Sequence, residues 1–149
     1  MSSVFALATP ATKSALCVFR VSGYGCLDVF GSIFNEKLEE PRKFYQRSLV
    51  SDGVVIDKVG VVFFKGPSSY TGEDSFEIYA HGGLAVMASI VDLFKSVGFD
   101  EAGPGEFTKR AFINGKLSLS EAESVVDVIN ASSRDVLEVS LNSLRGGFS

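Results

Sequence analysis

The sequence predicts a folded domain that combines a β-sheet with α-helices. Short apolar runs at Val4–Leu7 and Ala15–Val21 are partly β-branched or aromatic and are bounded by turn residues, which indicates strands. Apolar and polar residues alternate over Phe44–Lys65 around Asp52-Gly53, a dipeptide typical of hairpin turns. Apolar residues recur at helical spacing over Leu84–Val97, which predicts a helix.

Composition sets the broad class of the protein. The 149 residues are 46% apolar and 21% charged, which is ordinary for a domain with one sizeable core. The net charge of −4 gives no overall positive field, so any contact with nucleic acid must be local or made elsewhere. Cys17 and Cys26 lack the spacing of a zinc site or a disulfide framework, and we expect both to be buried thiols.

Because no apolar run is long enough to cross a bilayer and no signal peptide is recognisable, we predict a cytoplasmic location without membrane contact.

Other elements follow from the same patterns. The spacing over Cys26–Phe34 predicts a short amphipathic helix, and Val59–Phe64 is typical of a buried strand. Gly98 is a natural end for the helix that begins at Leu84. A strand after Tyr70–Asp74 should alternate between an apolar and a mixed face. The apolar face is Phe76, Ile78 and Ala80, and the mixed face is Ser75, Glu77 and Tyr79.

The C-terminal part is predicted to be helical. Pro104–Lys116 is a polar connector that should contain a short helix with Phe107, Ala111 and Phe112 on one face. Ser118 and Glu121 have the spacing of a capping box, so a long helix should begin there. Its apolar positions, from Leu119 to Leu144, continue to Gly146-Gly147 and predict about 25 residues at 1.5 Å rise. A helix of that length in a small domain usually packs on something else, which suggests a truncated protein.

Several catalytic signatures are missing from the sequence. The phosphate-binding pattern GxxxxGK[ST] does not occur, and neither do GxSxG or HExxH. A self-contained hydrolase would therefore have to use His81, the single histidine. A hydrolase is the least favoured function for this chain.

Three charged residues stand out as candidates for ligand binding. Glu77 lies mid-strand between apolar neighbours; a half-exposed strand position explains it, but a carboxylate there also suits the amidine-like edge of a pterin or guanine. Arg20 is the lone charge in an apolar strand and is either solvent-facing or directed at an anion, such as a carboxylate. Lys116 is either a surface lysine or a point charge for a ligand carboxylate. The tripeptide His81-Gly82-Gly83 favours a plain strand-to-helix turn over an anion-binding site.

Five segments resemble one known family. They are FALATP (residues 5–10), RVSG (20–23), YTGED (70–74), HGG (81–83) and PGEFTKRAFINGKLSLSEAE (104–123). Together they are similar to the N-terminal part of the MnmE (TrmE) family of tRNA-modification GTPases, and the resemblance covers essentially the whole chain. The last block is long enough to be highly specific.

The resemblance implies an α+β fold with a mixed or antiparallel sheet and flanking helices, similar to the folate-binding domain of aminomethyltransferases. Residues 1–117 would form a folate-binding and dimerisation domain, and residues 118–149 would begin a helical domain. The implied ligand is 5-formyl- or 5,10-methylene-tetrahydrofolate. In the full-length protein a GTPase domain uses GTP, Mg²⁺ and K⁺. Together with the FAD-dependent partner MnmG (GidA) the family modifies the wobble uridine of tRNA with a carboxymethylaminomethyl group.

The family's folate contacts fall on Arg20, Glu77 and Lys116. In this interpretation Thr71-Gly72 make the turn that sets the strand register, and Glu77 faces the pterin-like ring. Arg20 and Lys116 would meet the tail carboxylates or the formyl oxygen, with their roles left open. The family usually has glycine where this chain has Thr12, so the first loop is expected to take a different path. The alternative function is a structural dimerisation module without its own ligand site.

Overall fold

The computed structural model describes residues 2–9 and 15–144, with side chains up to residue 131. The predicted consequence of Ala11-Thr12 and the predicted helix stop at Gly146-Gly147 lie outside this part. Contacts group the chain into two units, Met1–Ala102 and Gly103–Ser149, which are taken one at a time below.

The first unit is built on a six-stranded sheet. Its strand order is β3-β4-β5-β2-β1-β6, and every neighbouring pair is antiparallel except β1 and β6, which are parallel. The predicted α+β class with a mixed sheet is therefore confirmed. The strands are β1 (Val4–Leu7), β2 (Leu16–Ser22), β3 (Tyr45–Ser51), β4 (Val54–Phe64), β5 (Ser75–His81) and β6 (Asp100–Glu101).

The hairpin between β3 and β4 turns at the predicted dipeptide. Asp52 and Gly53 both have positive φ angles, 49° and 77°, as a twist-compatible two-residue turn requires. The sequence pattern predicted a strand-like run after this turn and then Val59–Phe64 as a buried strand, whereas the structure has one 11-residue strand, β4, whose pairing with β3 shifts register between Leu49 and Val50. Exposed residues such as Lys58 still pair with β3 through their backbone groups. A charged side chain on the exposed face therefore does not end β4.

Helices cover one face of this sheet. A 3-10 turn, Cys26–Val29, leads into α1 (Phe30–Ile33), which is shorter than the predicted helix, and α2 spans Leu84–Ser96. The Phe94 ring of α2 packs edge-on against Phe19 and Phe76 of the central strands, with centroids 5.9 and 6.1 Å apart. This aromatic cluster forms the centre of the core and fixes which strand face is internal.

The end of α2 confirms the predicted stop. Gly98 has φ 95°, its N–H donates to the Lys95 carbonyl, and the Phe99 N–H donates to the Phe94 carbonyl. This is the Schellman arrangement, and the accompanying apolar contact is the Phe94–Phe99 ring pair at 5.6 Å. The next two residues form β6, which sequence analysis missed because a two-residue charged strand carries no alternation.

The second unit contains α3 (Glu106–Ile113) and α4 (Leu119–Leu144), and its capping box is confirmed. The Ser118 N–H donates to Glu121 Oε1 at 2.9 Å, and the Glu121 N–H donates to Ser118 Oγ at 3.1 Å. The predicted apolar face of α3 is only partly correct: Ala111 is buried, Phe107 is half-buried and Phe112 is exposed. Within the described residues, no helix is both long and apolar enough to span a membrane.

Candidate functional site

The first unit has a second sheet face, opposite the aromatic core. On β2 and β5 the residues Cys17, Phe19 and Val21 and their partners Phe76, Ile78 and Ala80 are buried in the core. Alternation therefore turns the intervening residues to the other side. We call this side the outer face; its members used below are Arg20, Gln46, Ser48, Lys58, Gly60, Val62, Glu77 and Tyr79.

Arg20 and Glu77 meet at the centre of the outer face. They are direct cross-strand partners of β2 and β5, and Arg20 Nη2 lies 3.2 Å from Glu77 Oε2. Their side chains are 43% and 21% exposed, so water reaches both groups. The sequence had left open whether Arg20 faces solvent or an anion; it faces a carboxylate while remaining partly solvated.

Tyr79 completes a chain of three polar groups with this pair. Burial raises the pKa of the Tyr79 hydroxyl, and the Glu77 carboxylate adds to the rise by its charge and by a hydrogen bond to the hydroxyl. Arg20 acts in the opposite direction on the same pKa. Glu77 therefore pairs with the Arg20 guanidinium at 3.2 Å and also acts on the Tyr79 hydroxyl.

This arrangement suits a flat ligand with a row of N–H donors. A carboxylate has two oxygens and about four acceptor positions, so Glu77 can accept from Arg20, from Tyr79 and from a further donor. Hydrogen bonds to an ionised acceptor are among the stronger ones, and a paired N–H edge meets both oxygens at once. The donor set of a pterin fits Glu77 on these grounds.

Lys116 belongs to the second unit. It follows Gly115, whose φ is 74°, and its backbone N–H donates to the Ala111 carbonyl at 2.8 Å, closing the end of α3. The residue is exposed. Its backbone is thus fixed by the helix end, and its part in ligand binding stays a prediction.

The turn that precedes β5 is held by buried polar side chains. The hydroxyls of Ser22 and Thr71 lie 2.7 Å apart, and Ser22 Oγ donates to Glu73 Oε1 at 2.9 Å. The Glu73 N–H also donates to Thr71 Oγ1. Glu73 and Ser22 are fully buried and Thr71 nearly so. We call Ser22, Thr71 and Glu73 the turn cluster; it ties the YTGED turn to the end of β2.

Asp74 extends this anchoring by its side chain and backbone. Its Oδ1 accepts from the Gly66 N–H at 2.8 Å, while its carbonyl accepts from the Gly23 N–H and from Cys26 Sγ. Burial raises the pKa of the Cys26 thiol to about 12, with the nearby Asp74 and Glu73 charges adding to the effect. The acidic turn therefore acts structurally and fixes where β5 begins, two residues before Glu77.

His81 lies at the other end of β5. Its Nδ1 is 2.8 Å from Asp57 Oδ1, and its backbone N–H donates to Asp57 Oδ2 at 2.9 Å. The imidazole is 73% exposed and borders a pocket of about 350 Å³. The other polar residues that line this pocket are Asn35, Gln46, Arg47, Ser48 and Lys58.

Sequence analysis missed the buried charged residues. Glu73 was read only as part of an acidic turn, and Arg110, almost fully buried in α3, bonds Glu106 Oε2 through Nε at 3.2 Å and Nη2 at 2.8 Å. The i,i+4 spacing of Glu106 and Arg110 is a readable signal for that pair. No local pattern marks Glu73, because its partner Ser22 lies 51 positions away.

The fold and the polar groups of its outer face define an α+β domain with a candidate ligand site on a mixed sheet. A sequence model of the family described as "GTP-binding protein TrmE N-terminus" matches residues 3–116. The chain belongs to this family, as the sequence resemblance predicted.

Curated relatives agree with that assignment. The chain is 44% identical over 149 residues to the tRNA modification GTPase MnmE of Pseudothermotoga lettingae and 43% identical over 148 residues to that of Thermotoga maritima. It is 40% identical over 153 residues to the MnmE of Flavobacterium johnsoniae. Each match covers 99% of this chain but 33% of the relative, so the chain spans about one third of the length of these proteins.

Proposed function

We propose that this chain binds a one-carbon tetrahydrofolate, of the 5-formyl or 5,10-methylene type, through Glu77 and Arg20 with a contribution from Lys116. The observation that carries the proposal is the Arg20–Glu77 pair on the outer face, which is partly open to water and lies beside Tyr79. Glu77 would accept the N–H edge of the pterin ring. A bound folate supplies the one-carbon unit; the chain's own residues bind and orient it.

Arg20 has a more limited role in this proposal than the sequence allowed. Because its guanidinium is already paired with Glu77, it lies at the ring end of the ligand. There it holds the carboxylate in place, and its guanidinium would also meet a ring or formyl oxygen. Lys116 is proposed as a point charge for another ligand oxygen.

The wider function follows from the family. The relatives are tRNA modification GTPases, and we propose that this chain is the corresponding N-terminal part, with a folate-binding and dimerisation domain at residues 1–117 and the start of a helical domain at 118–149. Homodimerisation, GTP hydrolysis with Mg²⁺ and K⁺, and joint action with an FAD-dependent partner of the MnmG type on the wobble uridine of tRNA are parts of this proposal, as is a cytoplasmic location.

Calorimetric titration of 5-formyltetrahydrofolate tests the site. We expect saturable heat from the unaltered chain and at least tenfold weaker binding by Glu77→Gln, which keeps the shape but removes the charge that strengthens the ring contacts. Glu101→Gln, on the exposed edge strand β6, is the matched control and should bind normally. Equal affinity of Glu77→Gln and the unaltered chain would remove the site.

A structural dimerisation module is the second candidate function. Leu16 and Phe44 support it, because these large apolar side chains are 52% and 61% exposed in the single chain. This candidate predicts a stable dimer by light scattering that folate does not alter and no folate heat. Folate-bound chains that dimerise more tightly than free chains would instead favour the first proposal.

A further inference from the structure

Beyond Glu77, the outer face carries residues of different chemistry one after another along the strands. Glu77 pairs across the sheet with Val62, Tyr79 pairs with Gly60, and β4 then continues to Lys58 at the pocket beside His81. Four residues along a strand span about 14 Å, so Lys58 lies roughly that far from the row of Glu77. One strip of sheet thus carries a carboxylate site, then Tyr79, then a cationic pocket.

Two aromatic rings, those of Phe44 and Tyr79, lie between the Glu77 site and the Lys58 pocket. The Phe44 ring lies over Gly60, where an added β-carbon would collide with it, and its centroid is 6.2 Å from that of Tyr79. Phe44 is also 61% exposed. A large exposed ring held beside a second ring offers a flat apolar surface to an aromatic ligand group.

The far pocket has the chemistry of an anion site. Lys58 is exposed, and within residues 2–9 and 15–144 it makes no ion pair. Both oxygens of the neighbouring Asp57 are bound by His81, so that carboxylate has its own partner. Asn35, Gln46 and Ser48 add neutral polar groups to the lining. In a chain of net charge −4, this is a local exception to the prevailing sign.

A folate has the same three parts in the same order: a pterin ring, an aminobenzoyl ring and a tail of glutamyl carboxylates. We propose that the pocket around Lys58 and His81 binds the tail carboxylates of an oligoglutamyl folate whose ring system lies at Glu77, with Phe44 and Tyr79 beside the aminobenzoyl ring. This inference rests on the proposed function and adds the direction of the ligand and the form of folate that is preferred.

The test compares 5-formyltetrahydrofolate with one glutamate and with five. Exposed ion pairs contribute little each, so we expect a preference of about three- to tenfold for the pentaglutamate, which falls as ionic strength rises. Lys58→Glu should abolish that preference, because it weakens binding of the pentaglutamate, which carries more carboxylates, more than binding of the monoglutamate. Lys109→Glu, at an exposed position of α3, is the matched charge reversal and should keep the preference. Thermal melts of both variants check folding.

The outcomes separate this inference from the proposed function. Equal affinity of the unaltered chain for both folates, or a preference that survives Lys58→Glu, overturns the tail site while the ring site stands. If neither folate binds, the proposed function fails, and free penta-γ-glutamate becomes the probe. Its binding to the unaltered chain but not to Lys58→Glu supports the anion pocket alone; the absence of any binding overturns it.

Discussion

Two polar clusters of the first unit lie close together, one where β2 ends and in the turn before β5, the other within these two strands, yet their surroundings differ. Ser22, Thr71 and Glu73 are buried and bonded to one another, whereas Arg20 and Glu77 within the sheet are partly open to water. Buried polar groups without partners cost free energy, so the turn cluster specifies structure. An exposed pair contributes little to stability and stays available for a ligand.

Glu73→Ala should have the largest effect on stability. The substitution removes the buried carboxylate to which Ser22 Oγ donates, and we expect a loss of about 3 kcal/mol in the free energy of unfolding. Urea denaturation followed by circular dichroism measures it. Glu36→Ala, at an exposed position, is the matched control and should change stability by less than about 0.5 kcal/mol. Similar losses in both variants would contradict the distinction between the clusters.

Alkaline pH should weaken the same turn through Cys26. Its folded-state pKa is raised to about 12 from the ordinary value of 9.0, so the unfolded chain loses this proton first. The thiol's contribution is fully present below pH 9 and is lost as the pH rises from 9 towards 12. At pH 10 the expected loss is about 1.4 kcal/mol.

Cys26→Ala isolates this contribution from other groups that titrate at high pH. The variant is less stable at every pH because of the missing side chain, but its stability should fall less steeply between pH 8 and pH 10 than that of the unaltered chain. Denaturant midpoints at the two pH values give the two slopes. Parallel slopes would show that the thiol ionises as readily in the folded chain as in the unfolded one.

Arg20→Ala should destabilise the fold by less than about 1 kcal/mol, because the arginine is 43% exposed and its ion pair is screened by water. Its effect on folate affinity should be larger than its effect on stability. Comparing a urea titration with a calorimetric titration of the same variant measures both. A stability loss as large as that of Glu73→Ala would place the ion pair with the structural groups instead.

Local sequence signals predicted the parts of this molecule that depend on neighbouring residues. The Asp52-Gly53 turn, the stop at Gly98 and the Ser118 capping box each rest on interactions within a few positions. The pairings across the sheet could not be predicted from the sequence, because Arg20 and Glu77 are 57 positions apart and no local signal sets their register. Both residues were singled out by their apolar surroundings, but their partnership required the fold.

The smallest expected effect is on Tyr79. The pKa of its hydroxyl responds to the charges of Arg20 and Glu77, so it tests this exposed pair without a ligand. Its pKa is raised first by burial and then by the charge and hydrogen bond of Glu77, while Arg20 opposes the rise. Glu77→Gln should therefore lower the Tyr79 pKa towards its ordinary value, and Arg20→Gln should raise it further. Difference ultraviolet titration against the corresponding Tyr79→Phe variants isolates this one hydroxyl. Opposite shifts require that both charged groups act on the tyrosine, whereas a purely structural effect of the substitutions would move its pKa in the same direction in both variants.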